Sequence, residues 1–505
     1  MNIRGIAMIA ALFAASALAT PALAGKRDNS IRFATSVVLR SADGYFSGSG
    51  GLGQIFGDQV WDTLIYRDPR TGDFKGQLAT AWRRIDDRTL EFELRRGVRF
   101  HNGADFDADD VVYTVNFVTK PENNALQEPW VTWLDHAEKI DQYKVRIVSK
   151  EPFAPAIAQL AESIPIYPHE YYAKVGPPGM NAKPVGSGPF RVVEHAPGKY
   201  IRMERNPDYF KDSPKAIPKV DKLEIRFIPD QQTQIAEMLA GGLDVIWNVP
   251  RDQAEPLRMA PNLRVVPAET GVIAHLQLNG TDKTPALPLR DIRVRKAIMH
   301  AIDREAMVKS LVGEPARVVH TFCYPSSFGC TDEGAARYAY DPAQAKQLLT
   351  EAGFPKGFDV ELYAFRDRPN VETIINYLRA VGIKANLRFV QQPAALDAIR
   401  AGKVAMIYRA NGDARQDVSQ PMANVFVSPY DMNQDGELRD LIDRGNASFD
   451  PEVRKSLYAK ALSLIQERAY DVPLYTLTNY YVVAKDLVFT PYSGAEIHFW
   501  EMSWK

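Results

Sequence analysis

Three things are scarce in this 505-residue chain: cysteine, an excess of charge of either sign, and long apolar runs beyond its first residues. With 61 basic and 62 acidic residues and no basic block, it carries no electrostatic footprint for nucleic acid or an anionic membrane surface. After the N-terminal stretch, no segment is long and apolar enough to cross a bilayer. Low-complexity tracts and internal repeats are absent, which excludes a solenoid. The motifs G-x-S-x-G, H-E-x-x-H and S-x-x-K with its partner motifs are also missing, so no hydrolase of those types is legible. The histidines, His101, His136, His169, His195, His275, His300, His320 and His498, share no i, i+4 spacing, and no metal site or cofactor is expected from them.

What is present begins with an export signal. Arg4 is followed by the uncharged, alanine-rich stretch 5–24, which ends in Ala22-Leu23-Ala24. Small residues three and one positions before a cut suit signal peptidase, making 1–24 a signal peptide and Gly25 the first mature residue. The alternative is a retained anchor, opposed by the absence of a basic stop-transfer cluster. No cysteine lies near the cut to take a lipid, so a soluble periplasmic protein is expected. In that oxidising compartment Cys323 and Cys330, in CYPSSFGC, read as a short disulfide loop. Two free thiols are the alternative; zinc would need four ligands, and only His320 is close.

At 46% hydrophobic and 24% charged residues the composition is globular, and the length calls for two or three structural units. From about 31 to 230 extended stretches predominate, with the alternation of half-buried strands: IRFATSV at Ile31, TLEFELR at Thr89, YKVRIV at Tyr143, FRVVEH at Phe190, YIRMER at Tyr200 and KLEIRFI at Lys222. One helix interrupts them, capped by Asp107, with Val111, Val112, Val115 and Val118 on one face. From about 231 helices alternate with strands. Asp341-Pro342 and Asp450-Pro451 mark helix starts, and Gly241, Gly353, Gly382 and Gly402 mark helix ends.

Segment 357–412 reads strand, helix, strand, helix, strand, a βαβαβ unit that builds a parallel sheet and binds ligands beyond the carboxyl ends of its strands. The segments leaving those ends are 366–370 and 409–417. Guanidinium groups clamp a carboxylate and a carboxylate holds an ammonium, so these loops suit a zwitterion such as a peptide. Arg366, Arg368, Arg409 and Arg415 are the candidates for its acid end, and Asp413 or Asp417 for its amine. Solvated surface charge is the competing reading. Gly48-Ser49-Gly50-Gly51-Leu52-Gly53 satisfies G-x-G-x-x-G, but no strand runs directly into it, which excludes a dinucleotide fingerprint. A mobile segment at a cleft rim, with Tyr45 and Phe46 offering apolar surface, is expected instead.

Several blocks resemble the peptide, nickel and opine-binding family of ABC-transporter solute-binding proteins, most closely its dipeptide and oligopeptide type. They are LEFELRRGVRFHNGADFDADDVVYTV from Leu90, PVGSGPFRVVEHAPGKYIRMERNPDYF from Pro184, FIPDQQTQIAEMLAGGLDV from Phe227 and LRDIRVRKAIMHAIDRE from Leu289. The resemblance covers nearly the whole mature chain. It implies an α/β, two-lobe clamp of the periplasmic-binding-protein type II, with mixed sheets flanked by helices. Its expected divisions are lobe I at 25–66, an inserted subdomain at 67–183, lobe I again at 184–270, lobe II at 271–476 and a return to lobe I at 477–505.

The resemblance further implies a small peptide or peptide-like ligand held between the lobes and an ABC permease as partner, with no bond made or broken. Arg368-Pro369 and Gly412-Asp413 match the elements that hold a peptide's two ends. Peptide binders tend to carry tryptophan where Asn411 stands, and Asp417 lies one position off the second acidic residue, so an opine, a sugar conjugate or a nickel chelate stays open as ligand. A secreted hydrolase and a periplasmic folding aid or sensor are the rivals of other classes. A monomer is the default expectation.

Overall fold

The computed structural model describes residues 25–47, 51–125, 131–281, 287–412, 416–494 and 496–505. The signal-peptide reading of 1–24, Gly48 to Gly50, and the candidates Asp413 and Arg415 lie outside the described residues. No helix among the described residues is long and apolar enough to cross a membrane.

Two strands of unusual length organise the molecule: Leu263–Leu278 and Asp471–Ala484, paired antiparallel at the centre of a ten-stranded sheet. At one end of this pair, Met406–Gly412 joins the first strand, followed by Phe358–Ala364 and Ile383–Phe389, these three parallel to one another. At the other end, Val245–Ile246 joins the second strand and leads through Ser30–Thr35 and Lys222–Phe227 to the hairpin Phe190–Ala196 and Tyr200–Arg205. One sheet therefore runs through two lobes, with the long pair at its centre. Between the lobes the register breaks: Glu269 faces Thr478 and Ile273 faces Thr476, so three residues of one strand oppose one of the other. Gly271 sits in this bulge at φ +66°, and a Cβ there would lie 2.7 Å from the Ser493 carbonyl oxygen. A bulge with glycine in the left-handed region bends a strand without breaking it.

A second sheet, four antiparallel strands in the order Ala79–Arg84, Thr89–Leu94, Lys144–Ser149, Leu134–Asp141, is covered by helix Ala108–Val118. The Asp107 carboxylate accepts from the Asp109 amide at 2.8 Å, and the Asp110 side chain accepts from the Asp107 amide at 2.9 Å, a capping box that starts this helix. Its Val111, Val115 and Val118 enter the core. The strands expected up to residue 230 all form, but the single expected helix is one of several. Gly51–Val60, Ala156–Glu162 and His169–Ala182 are helical too. The last contains Gly176 at φ 59° followed by Pro177 and Pro178, so it is two short helices joined at a kink, with no sustained apolar period to betray them. Gly51 opens a helix, so the glycine-rich stretch is in part ordered structure and not a loop throughout.

Two of the motif blocks meet in the first lobe. Gly186 and Gly188 lie so close to the end of helix Gly51–Val60 that a Cβ would fall 2.0 Å and 2.8 Å from the Val60 carbonyl oxygen. His101 Nε2 bonds the Gly188 carbonyl at 3.0 Å, and Trp61 donates to the Val185 carbonyl at 2.9 Å. These glycines are required for the close backbone approach. Around them Phe33, Trp61, Phe92, Tyr167 and Trp500 form one aromatic core. The second lobe packs both faces of its sheet: Leu276, Leu362 and Tyr408 on one, Ile273, Phe322, Met422 and Tyr458 on the other.

Candidate ligand-binding site

The carboxyl ends of Phe358–Ala364 and Met406–Gly412 lie side by side, as the parallel crossover requires. Beyond the first, Arg366 is partly exposed and its Nε donates to Asp367 at 2.9 Å. Asp367 stands at φ 50° and also accepts from the Tyr408 hydroxyl at 3.2 Å, which fixes the turn. Arg368 and Pro369, expected in the loop, are instead the first residues of helix Arg368–Ala380. The Arg368 guanidinium is exposed, lies over the Phe389 ring at 5.0 Å and pairs with Glu372 at 3.4 Å, toward the outer edge strand of the sheet.

Beyond the second strand the arrangement is more elaborate. Arg409 lies within the strand, buried, and donates to the Gln277 side chain at 3.0 Å; burial pulls its pKa down to about 10 against the pull of Asp471. Its neighbour in register, His275, is fully buried between Asp471, through Nδ1, and Asn411, through Nε2 at 2.8 Å. Burial drives the Asp471 carboxyl upward, and His275 opposes that rise. Asn411, which stands where the resemblance leads one to expect tryptophan, is thus the outer end of a buried polar relay. Sequence reading singled out no histidine; the partners of His275 lie 136 and 196 residues away, and no spacing rule reaches that far.

Asp417 is buried too. It accepts from Arg454 at 2.8 Å and from the Ser419 amide at 3.0 Å. Arg454 also donates to the Tyr458 hydroxyl, which donates to Asn446, and its guanidinium lies over the Phe328 ring at 4.6 Å. The Asp417 charge is therefore matched within the lobe. On the other side of the cleft Tyr45 is buried, not a rim residue. Its hydroxyl donates to the Pro165 carbonyl at 2.7 Å, and its amide donates to Asp43. Asp43 also accepts from the hydroxyls of Tyr167 at 2.7 Å and Tyr172 at 2.8 Å, and burial pushes its pKa up to about 6.

The two lobes touch in this structure. Arg67 donates to the Gln416 side chain at 3.4 Å, next to Asp417. The Ala154 amide donates to the Asn446 carbonyl at 2.7 Å, and the Arg84 guanidinium lies 3.7 Å from the centre of the Phe449 ring. Gln416 thus sits at the seam. Cavities of about 370 Å³, lined by Arg70, Lys219, His498 and Glu501 among others, and about 320 Å³, lined by Arg304, His320, Arg337 and Tyr340 among others, are each drawn from one lobe and do not include the seam. The disulfide Cys323–Cys330 is formed, with Cα atoms 5.5 Å apart. One group of three potential metal ligands occurs among the described residues, Asp107, Asp110 and His169, and these side chains are the helix cap and its hydrogen-bond partner.

Comparison with known proteins agrees with this architecture. The chain is 26% identical over 492 residues to the glutathione-binding protein GsiB of Salmonella paratyphi A, covering 92% of each. It is 26% identical over 455 residues to heme-binding protein A of Haemophilus influenzae, covering 82% of this chain and 81% of that one. Its fold matches the periplasmic binding protein DppA of Helicobacter pylori, solved with the peptide STSA, at a TM-score of 0.81 and 23% identity, covering 94% of this chain and 98% of that one. The model of bacterial extracellular solute-binding proteins, family 5, matches residues 73–433. This chain is a solute-binding protein and belongs to family 5 of the bacterial extracellular solute-binding proteins.

Proposed function

We propose that this protein captures a short peptide or peptide-like solute in the periplasm, closes its lobes over it and delivers it to an ABC permease, making and breaking no bond. The observation that carries the reading is the loop after Met406–Gly412, which leaves a parallel strand at its carboxyl end and meets Arg67 of the opposite lobe through Gln416. A solute held there touches both lobes and favours the closed form by the contacts it gains in it. Within the loop, Asp413 is assigned to the amine, and Arg366 with Arg415 to the acid end. Arg409 and Asp417 act one layer back, through Gln277 and Arg454. The lobes pivot on the bulge at Gly271, where the two long strands change register.

The peptide reading draws support from the glutathione-named relative and from the peptide in the related structure. The heme-named relative is equally similar, so hemin is the competing ligand. Native mass spectrometry of protein exported to the periplasm, before and after denaturation, separates them. A released peptide or amino-acid conjugate is the expected result. A protein that arrives empty, and whose melting temperature no di- or tripeptide raises while hemin does, overturns the peptide reading.

A further inference from the structure

The disulfide loop lies between the strand bulge at Gly271 and the segment 416–418 and bonds to both sides. At one end, Tyr324, next to Cys323 and buried, donates its hydroxyl to Glu269 at 2.7 Å. Glu269 is the residue at which the long strand enters the bulge between the lobes, and it also pairs with Arg317 at 3.4 Å. At the other end, the Phe328 amide donates to the Gln416 carbonyl at 2.8 Å, and the Val418 amide donates to the Phe328 carbonyl at 3.1 Å. This is a one-residue parallel bridge across Asp417. The Phe328 ring lies under Arg454, the same guanidinium that holds Asp417.

Between the two ends the segment is stiff. The Ser327 amide donates to the Tyr324 carbonyl at 2.9 Å, and the Cys330 amide donates to the Ser327 carbonyl at 3.0 Å. Gly329 stands at φ +78°, and a Cβ there would press into Tyr458 and Val418, at 2.8 Å and 3.0 Å. The disulfide closes the base, so Tyr324 and Phe328 do not move independently.

We infer that the Cys323–Cys330 loop is a rigid link between the hinge and the loop at the seam. Tyr324 and Phe328 are its positioning residues: bending at Glu269 moves Phe328, and Phe328 carries the segment 416–418 with it. The link rests on the proposed reading of that loop for its meaning in solute capture, but not for its existence, because it is a property of the empty protein. Loss of the Tyr324 bond frees one end of the link and loosens amides at the other, where no atom has been changed.

Hydrogen exchange of the ligand-free mature protein tests this, read at the Phe328 and Val418 amides. Tyr324→Phe, Glu269→Ala and the double variant Cys323→Ser/Cys330→Ser are each expected to speed exchange there by about tenfold, the scale of one lost hydrogen bond to a charged group. Glu269→Gln, whose amide oxygen accepts the same bond, retains the slow rate; a merely structural acid at 269 would not show this rescue. Unchanged exchange at both amides in Tyr324→Phe and Glu269→Ala overturns the link. Titration with tri-alanine, run alongside, keeps the two readings apart. Coupled exchange in a protein that takes up no tri-alanine keeps the link and counts against the peptide, whereas uncoupled exchange refutes the link whatever tri-alanine does.

Discussion

The substitution Asp43→Asn should flatten the stability of the first lobe against pH. The Asp43 carboxyl is wholly buried, and desolvation raises its pKa from 3.8 to about 6 although the Tyr167 and Tyr172 hydroxyls and the Tyr45 amide oppose that rise. A folded-state value above the unfolded one means that the folded state holds its proton longer. The contribution is therefore fully present below pH 3.8 and is lost as pH rises through 6. The interval corresponds to about 3 kcal/mol, at 1.36 kcal/mol for each tenfold change in proton affinity. The side-chain amide of the variant carries no charge at any pH. Its oxygen still accepts from Tyr167 and the Tyr45 amide, and Tyr172 turns its hydroxyl to accept from the new NH2 group. Urea unfolding followed by tryptophan fluorescence, with Trp61 packed against Tyr167, measures both proteins from pH 4 to 7.5. Other titrating groups cancel in the difference between the two curves. That difference should change by about 2.4 kcal/mol across the range, the part of the interval that lies above pH 4, with the wild type gaining on acidification. Parallel curves would refute the assignment of a buried, proton-holding Asp43.

Two further outcomes follow from contacts at the seam and behind it. Phe449→Ala removes the ring under Arg84. An exposed cation–π contact contributes about 0.5–1 kcal/mol, so solute affinity by calorimetry should fall roughly two- to fivefold, while the urea midpoint stays fixed. Unchanged affinity would show that this contact does not favour closure. Arg454→Met strands the buried Asp417 carboxylate and should cost about 3–5 kcal/mol in urea unfolding. The double variant Asp417→Leu/Arg454→Met should recover most of that, and a double variant as unstable as the single one would contradict the pairing.

How far the sequence could be read depended on how local each signal was. Asp341 and Asp450 cap the helices that follow them, and Gly241, Gly353, Gly382 and Gly402 all stand at positive φ, because a helix end is written within a few residues. The parallel arrangement of 358–364, 383–389 and 406–412 was legible for the same reason. The site was not. Arg409 was expected in a loop because the apolar run from Val404 ends at Tyr408, yet pairing with Leu263–Leu278 extends the strand to Gly412. Tyr45 looked like a rim residue until Pro165, 120 positions on, took its hydroxyl. Asp417 and Arg454 are 37 residues apart, and only tertiary packing shows that the acid is already matched. Charges near a sheet's carboxyl edge can be found from sequence; which of them are spent on the protein itself cannot.

The long strand Asp471–Ala484 also dictates when each lobe can be completed as the chain is made. Residues between about 273 and 470 supply most of the second lobe as one stretch, so it can fold as it emerges. The first lobe cannot. Its sheet lacks the neighbour of Val245 and Ile246 until Val482 and Val483 arrive, and Phe33 lacks Phe499 beside its ring. The Ser30 carbonyl waits for the indole of Trp504, 474 positions on. The strand Ser30–Thr35 is thus sealed by residues more than 400 positions further on, and the first lobe is finished only after the second has been made.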